Sequence, residues 1–268
     1  MEAPDPYPET PVDLDRYPLN RPEGAAYRQL VEQVRADLAA HGMFTLPAFL
    51  RPEIAAREGP PLAARAMAEG YTHARRHNIY FAPPPPKLAN HPAYAEMETI
   101  NHTLTYDQLQ GGPVAALYRW PPLARFLAAA MGKPALYPME DPLAAVNVMA
   151  YRDGEALNWH FDRSEFTTTL LLQAPDAGGA FEYRPDLRTE DDANLDGVAR
   201  LMAGDADGVE TLDLTPGALN VFKGRNTAHR VTPVGGPQAR VIAVFSYFDR
   251  PGVVFTPQER IGFYGRAG

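Results

Sequence analysis

The pattern of apolar residues changes at about residue 143, and that change constrains the fold more than any other feature of the chain. Beyond it the sequence breaks into short pieces rich in β-branched and aromatic residues, separated by Gly, Pro and Asp. They lie over 144–151, 159–161, 166–173, 179–183, 210–214, 218–222, 229–234 and 240–248. Roughly eight short strands at such spacing suit an antiparallel sandwich or jelly roll better than a βαβ fold. One helical insertion is expected over 194–203.

The first half reads differently. Tyr27, Leu30, Val31, Val34 and Leu38 recur at three- and four-residue spacing and Gly42 follows, which predicts an amphipathic helix over 25–41. A short strand is expected over 43–46, and further helices over 61–69 and 121–131. Residues 1–24 are rich in Pro, Asp and Glu without apolar period, and read as an extended Pro-rich arm. The expected organisation is that arm, a mostly helical flanking region over 25–142, and a jelly-roll catalytic core over 143–268, integrated into one catalytic domain. The class is mainly β with α.

Composition removes several kinds of chemistry. There is no cysteine, so disulfides, thiolate metal sites, iron–sulfur clusters and cysteine nucleophiles are excluded, and any metal must use His and carboxylate. With 33 acidic against 25 basic residues the formal charge is −8, a field that repels a nucleic-acid backbone. No stretch approaches the ~20 apolar residues that span a bilayer, and the first residues lack the basic and apolar regions of a signal peptide. A small molecule is the expected partner, without nucleic acid or membrane, and the cytoplasm the expected location. Oligomeric state stays open, a homodimer included.

His160 and Asp162 are separated by one residue. On a strand they share a face, whereas on a helix they diverge by roughly 200°, so the pair can chelate only in extended structure. A third ligand of matching type, His229, stands at the head of another expected strand. Two His and one carboxylate make a facial triad that leaves three positions open on Fe(II), enough for a bidentate 2-oxoacid and O2. Arg240 follows at the entrance of the apolar run 241–245, where a guanidinium can fork onto the distal carboxylate of 2-oxoglutarate.

With these residues in place, the chain resembles the Fe(II)/2-oxoglutarate-dependent oxygenase superfamily, whose double-stranded β-helix carries His-x-Asp, a distal His and an Arg some ten residues on. The segments 159–162, 167–173, 220–226 and 229–234 look like the group of free-amino-acid halogenases and their hydroxylase relatives. The resemblance implies that His160, Asp162 and His229 bind iron and that Arg240 binds 2-oxoglutarate. The halogenases of that group have a small residue where this chain has Asp162. Because halide takes the position the carboxylate would fill, hydroxylation of an unactivated C–H bond is favoured, with release of succinate and CO2.

Other residues are candidates by position. Asn147 and Tyr151 alternate on one strand face and are placed to bind the cosubstrate, and Thr167 and Thr169 share that status. Arg76 or Arg75, with His77, lies in a polar stretch of the helical half suited to a substrate carboxylate, and Glu140 could meet a substrate ammonium. The aromatic-rich tail 255–264 is either a lid or a seal on the core. A free amino acid or related amine is the expected substrate. Alternatives are halogenation, desaturation or epimerisation on the same scaffold, a zinc-dependent hydrolase, and a non-catalytic β-sandwich binding module.

Overall fold

The computed structural model describes residues 11–268. The first expected helix is α1 (Ala25–His41), which buries Tyr27, Val31, Val34 and Leu38 and is closed by Gly42 in the left-handed conformation. It leads into β1 (Met43–Leu46). The next helix, α2 (Pro52–Glu69), begins before the expected residue 61 and runs through Pro60 and Pro61. An interior proline costs ~3 kcal/mol in lost hydrogen bonding and steric clash, so tertiary packing must offset it. Ile54, Ala55, Leu62 and Ala66 are buried, and Gly59 lets the helix approach a strand so closely that a Cβ there would lie 2.8 Å from the carbonyl oxygen of Leu172.

The largest departure from expectation follows. Residues 71–77 and 101–102, expected within the helical half, belong to β2 (Tyr71–His77) and β3 (Met97–Leu104). The two pair antiparallel from Tyr71 opposite Thr103 to His77 opposite Met97. The 71–77 segment has no apolar helical stripe, and its alternate residues His73 and His77 are buried, which is the periodicity of a strand. Three helices, α3 (Tyr106–Leu109), α4 (Pro113–Arg119) and α5 (Pro121–Ala130), then precede the short β4 (Tyr137–Pro138).

The β-rich half supplies β5 (Val146–Tyr151), β6 (Leu157–His160), β7 (Thr167–Gln173), β8 (Ala177–Gly178) and β9 (Phe181–Arg184). The insertion is α6 (Leu195–Met202), capped by the Asn194 side chain. After it come β10 (Glu210–Leu212), β11 (Leu219–Phe222), β12 (Ala228–Val231), β13 (Val234–Gly235), β14 (Arg240–Phe245) and β15 (Tyr247–Phe248), and α7 (Pro257–Tyr264) ends the ordered elements.

These strands form a seven-stranded sheet in the order β1-β11-β7-β14-β5-β3-β2 and a four-stranded sheet in the order β10-β9-β12-β6. From β5 to β14 the chain repeatedly crosses from one sheet to the other, which is the winding of a jelly roll. Both faces of the large sheet are covered. Val146, Val148, Leu170, Leu172, Val241 and Ala243 point outward into one apolar core with the helices. The alternate residues, among them Asn147, Tyr151, Thr167 and Arg240, point into the roll, so the strands read as dense apolar runs broken by a few polar residues.

The Pro-rich arm is less loose than its composition suggests. Val12, Tyr17 and Leu19 are buried, Val12 bridges Leu50, and Tyr17 donates its hydroxyl to the Pro47 carbonyl at 2.7 Å. Its few apolar residues fill one end of the helical layer, a tertiary role that local composition does not carry. Residues 1–10 of the arm lie outside the described residues.

Candidate metal centre and substrate cleft

The centre is built by strand register. β6 and β12 are neighbours in the small sheet, and His160 lies directly opposite His229, with their ring centroids 4.0 Å apart. Both rings are buried. His160 Nδ1 donates to the Asn158 carbonyl at 2.9 Å and His229 Nδ1 to the Thr227 carbonyl at 3.0 Å. A carbonyl only accepts, so each Nδ1 carries a proton, and Nε2 is the nitrogen each ring turns towards Asp162.

Asp162 closes the triad. Its Oδ1 lies 3.6 Å from His160 Nε2 and its Oδ2 3.4 Å from His229 Nε2. Among the described residues these three are the group whose ligand atoms all fall within 4.8 Å of one another. Burial pushes the His160 imidazolium well down, aided by the neighbouring His229, so the ring is a neutral ligand. Burial alone would raise the Asp162 carboxyl. Its polar neighbours, His229, His160 and the Thr167 hydroxyl that donates to it, outweigh that effect and hold the group below the ordinary carboxylate range.

Two features of the chain hold that carboxylate. Thr167 Oγ1, at the start of β7, donates to Asp162 Oδ2. The Asp162 backbone N–H donates to the Gly224 carbonyl at 3.0 Å, and a Cβ at Gly224 would collide with Asp162 Oδ2 and Thr167 Oγ1. Only glycine fits this cradle.

Arg240 is 2% exposed and opens β14 opposite Tyr151 on β5. Its Nε donates to the Gly179 carbonyl at 3.0 Å, while its buried Nη1 has no partner. Burial lowers its pKa to about 10, so it is a cation at neutral pH without a carboxylate. A buried, unpaired guanidinium is costly unless an anion completes it. Tyr151 is buried beside it, and burial raises its phenol to about 12, so it remains a hydroxyl donor. Two imidazoles whose Nε2 atoms face a carboxylate suit Fe(II), and the incomplete Arg240 suits the distal carboxylate of 2-oxoglutarate.

The remaining expected residues are placed as follows. Asn147 is engaged within the protein: Nδ2 donates to the Leu143 carbonyl at 2.8 Å, and Oδ1 accepts from the Tyr264 hydroxyl at 2.8 Å. His77 Nδ1 donates to the carbonyl of the next residue, Asn78, and Nε2 accepts from Thr99 Oγ1 on β3 at 2.7 Å, so both nitrogens are engaged within the protein. Arg76 is exposed on the opposite face of β2 and pairs with Glu96 at 3.4 Å. Glu140 is exposed and accepts from the Gly252 N–H at 3.1 Å. Of the tail, Phe255 and Phe263 line the cleft and Tyr264 is buried.

An open cleft of about 1200 Å³ leads to Asp162 and Thr167. Most cations along it already have carboxylates: Lys133 with Glu165, Arg163 with Glu259, Arg225 with Glu190. Arg75 does not. It shares a face of β2 with His77, makes no ion pair among the described residues, and its buried Nε has no partner. The sequence held Arg75 and Arg76 as equals; assigning the stretch to a strand separates them, because neighbours on a strand face opposite ways. Gly224 and Phe81, an exposed aromatic in the cleft, were not legible as site residues.

A family model described as Halogenase D matches residues 27–252. Among proteins with curated descriptions, none matches the sequence. The fold is shared with solved structures at low identity. An oxidoreductase of the 2OG-Fe(II) oxygenase family from Burkholderia pseudomallei has 16% identity, covering 83% of this chain and 92% of that one, with a TM-score of 0.51. The epimerase SnoN from nogalamycin biosynthesis, in complex with Fe3+, alpha ketoglutarate and nogalamycin RO, has 15% identity over 83% and 84%, with a TM-score of 0.55. AviO1 from Streptomyces viridochromogenes Tue57 has 18% identity over 83% and 96%, with a TM-score of 0.56. With the match extending from α1 through both sheets, the chain has the fold of the 2OG-Fe(II) oxygenases and belongs to the Halogenase D family.

Proposed function

We propose that this chain is an Fe(II)- and 2-oxoglutarate-dependent dioxygenase that hydroxylates an unactivated C–H bond of a small molecule, a free amino acid or related amine. The observation that carries the reading is Asp162: a half-buried carboxylate, held below the ordinary carboxylate range beside both histidines, in a family described by halogenation. A third protein ligand fills the position a halide needs, so hydroxyl return is favoured over halide transfer.

His160, Asp162 and His229 would hold the metal, and Arg240 with Tyr151 the cosubstrate. Once bound, Fe(II) with 2-oxoglutarate and O2 supplies the oxidising power to convert C–H to C–OH, with succinate and CO2 as the co-products. The chain's own residues bind and orient. Arg75 anchors the substrate carboxylate, Phe255 and Phe263 limit water in the cleft, and the Thr167 hydroxyl holds Asp162 in one rotamer.

Anaerobic reconstitution with Fe(II) and 2-oxoglutarate tests the cofactor assignment through its weak visible charge-transfer band, which should be present in wild type and absent in His229→Ala. Oxygen-dependent succinate release with a panel of amino acids then tests the substrate class, and Arg75→Ala should raise KM for an accepted one by at least tenfold. Lack of the band in folded wild-type protein would sink the oxygenase reading. Succinate release stimulated by no amino acid would sink the substrate class.

A further inference from the structure

Phe81 adopts a left-handed backbone conformation, φ 51°, that an aromatic residue rarely takes, and it is 37% exposed although its ring faces the cleft. Neither feature helps folding. The conformation is imposed by an Asn turn: Asn78 Oδ1 accepts from the Tyr80 N–H at 3.0 Å, and Asn78 Nδ2 donates to the Ala82 carbonyl at 2.7 Å. The turn is fastened to the metal-bearing segment, where the Phe161 N–H donates to the Ile79 carbonyl at 3.0 Å. Strain held by this many contacts points to a purpose for the side chain rather than to slack in the loop.

The ring stands between the two ends of the site. The Arg75 guanidinium carbon lies 4.7 Å from its centroid and the His160 ring 5.5 Å from it. The His77 ring, whose nitrogens are both committed, backs it at 4.2 Å. A molecule held by its carboxylate at Arg75 must run past this ring to reach the metal side of His160. We infer that Phe81 is a specificity-determining wall that sets the length of side chain able to extend between a carboxylate at Arg75 and the metal centre. This rests on the reading of Arg75 as carboxylate anchor.

The two ideas are separable by calorimetric titration of straight-chain L-amino acids, from 2-aminobutanoate to 2-aminooctanoate, in anaerobic buffer with Fe(II) and 2-oxoglutarate. Wild type should bind one length at least tenfold better than the longest member. Phe81→Leu and Phe81→Ala should move the optimum to longer chains, and Phe81→Trp to shorter ones. Phe81→Gly suits the positive φ, so it should match or exceed wild-type melting temperature while shifting the optimum as Phe81→Ala does, which a merely structural role would not produce. Arg75→Ala should weaken every length at least tenfold. Binding that depends on Arg75 but keeps its length optimum in all Phe81 variants would overturn the wall alone. Binding indifferent to Arg75, or no binding at any length, would overturn the anchor and the wall with it.

Discussion

The hydroxyl of Thr167, the first residue of β7, donates to Oδ2 of Asp162, so the carboxylate of the triad is steered from the strand that follows it. Partners that orient a ligating carboxylate typically contribute 10–100-fold to metal affinity. Thr167→Val should therefore weaken Fe(II) binding by about 10–100-fold, with the melting temperature of the metal-free protein nearly unchanged, while Thr167→Ser should restore most of the affinity. Metal titration of the three proteins decides it. Equal affinities would mean that Asp162 holds its rotamer without help.

Asp162 itself is the sharper probe. Asp162→Ala removes one of three ligands and should abolish hydroxylation, while Asp162→Gly with chloride present should lose the hydroxylated product and yield chlorinated product in its place. Mass spectrometry of products distinguishes the three proteins. Normal turnover by Asp162→Ala would show that the iron is held elsewhere.

How much of this was open to the sequence depends on the range of the information. His160 and Asp162 announce themselves because a one-residue gap has meaning only on a strand, and the surrounding pattern supplied the strand. Arg240 stood out as a charge at the mouth of an apolar run. The same local logic failed for 71–77, where polar alternation signals a strand only once β3 is known to lie beside it. It failed for Pro60 and Pro61, whose helix is maintained by packing on the large sheet. Gly224 and Phe81 owe their roles to side chains distant in sequence, and no window along the chain contains both partners.

Arg240 should behave as a cosubstrate anchor and not as a metal residue. A charge-assisted hydrogen bond to a carboxylate contributes about 1.5–3 kcal/mol, so Arg240→Ala should raise the Kd for 2-oxoglutarate by on the order of 10–100-fold. Fe(II) affinity should change little. Titration of the anaerobic charge-transfer band with 2-oxoglutarate reads the first quantity, and metal titration the second. An unchanged 2-oxoglutarate Kd would place the anchor at another cation.

The C-terminal segment is tied down by Asp141, and its attachment should depend on pH. The Asp141 side chain is fully buried and accepts from the N–H groups of Leu143, Ala144 and Phe255, and from Arg260 Nε on α7 at 2.8 Å. Burial alone would raise its carboxyl, but those donors prevail and hold it below the ordinary value of 3.8. A carboxyl depressed in the folded state stabilises fully above its unfolded pKa, and that contribution disappears as pH falls through the lower folded value. The segment should thus stay docked at neutral pH and loosen only once the pH falls through that depressed value, where protonated Asp141 no longer pairs with Arg260. Removing one partner of a buried pair costs about 3–5 kcal/mol, so Arg260→Ala should lower the melting temperature markedly at pH 7, with much less difference from wild type once the pH is below the depressed Asp141 value. Thermal melts of both proteins across pH, with protease sensitivity of residues 250–268 as a local readout, test this. A stability gap independent of pH would mean that Arg260 acts through its packing and not through the Asp141 carboxylate.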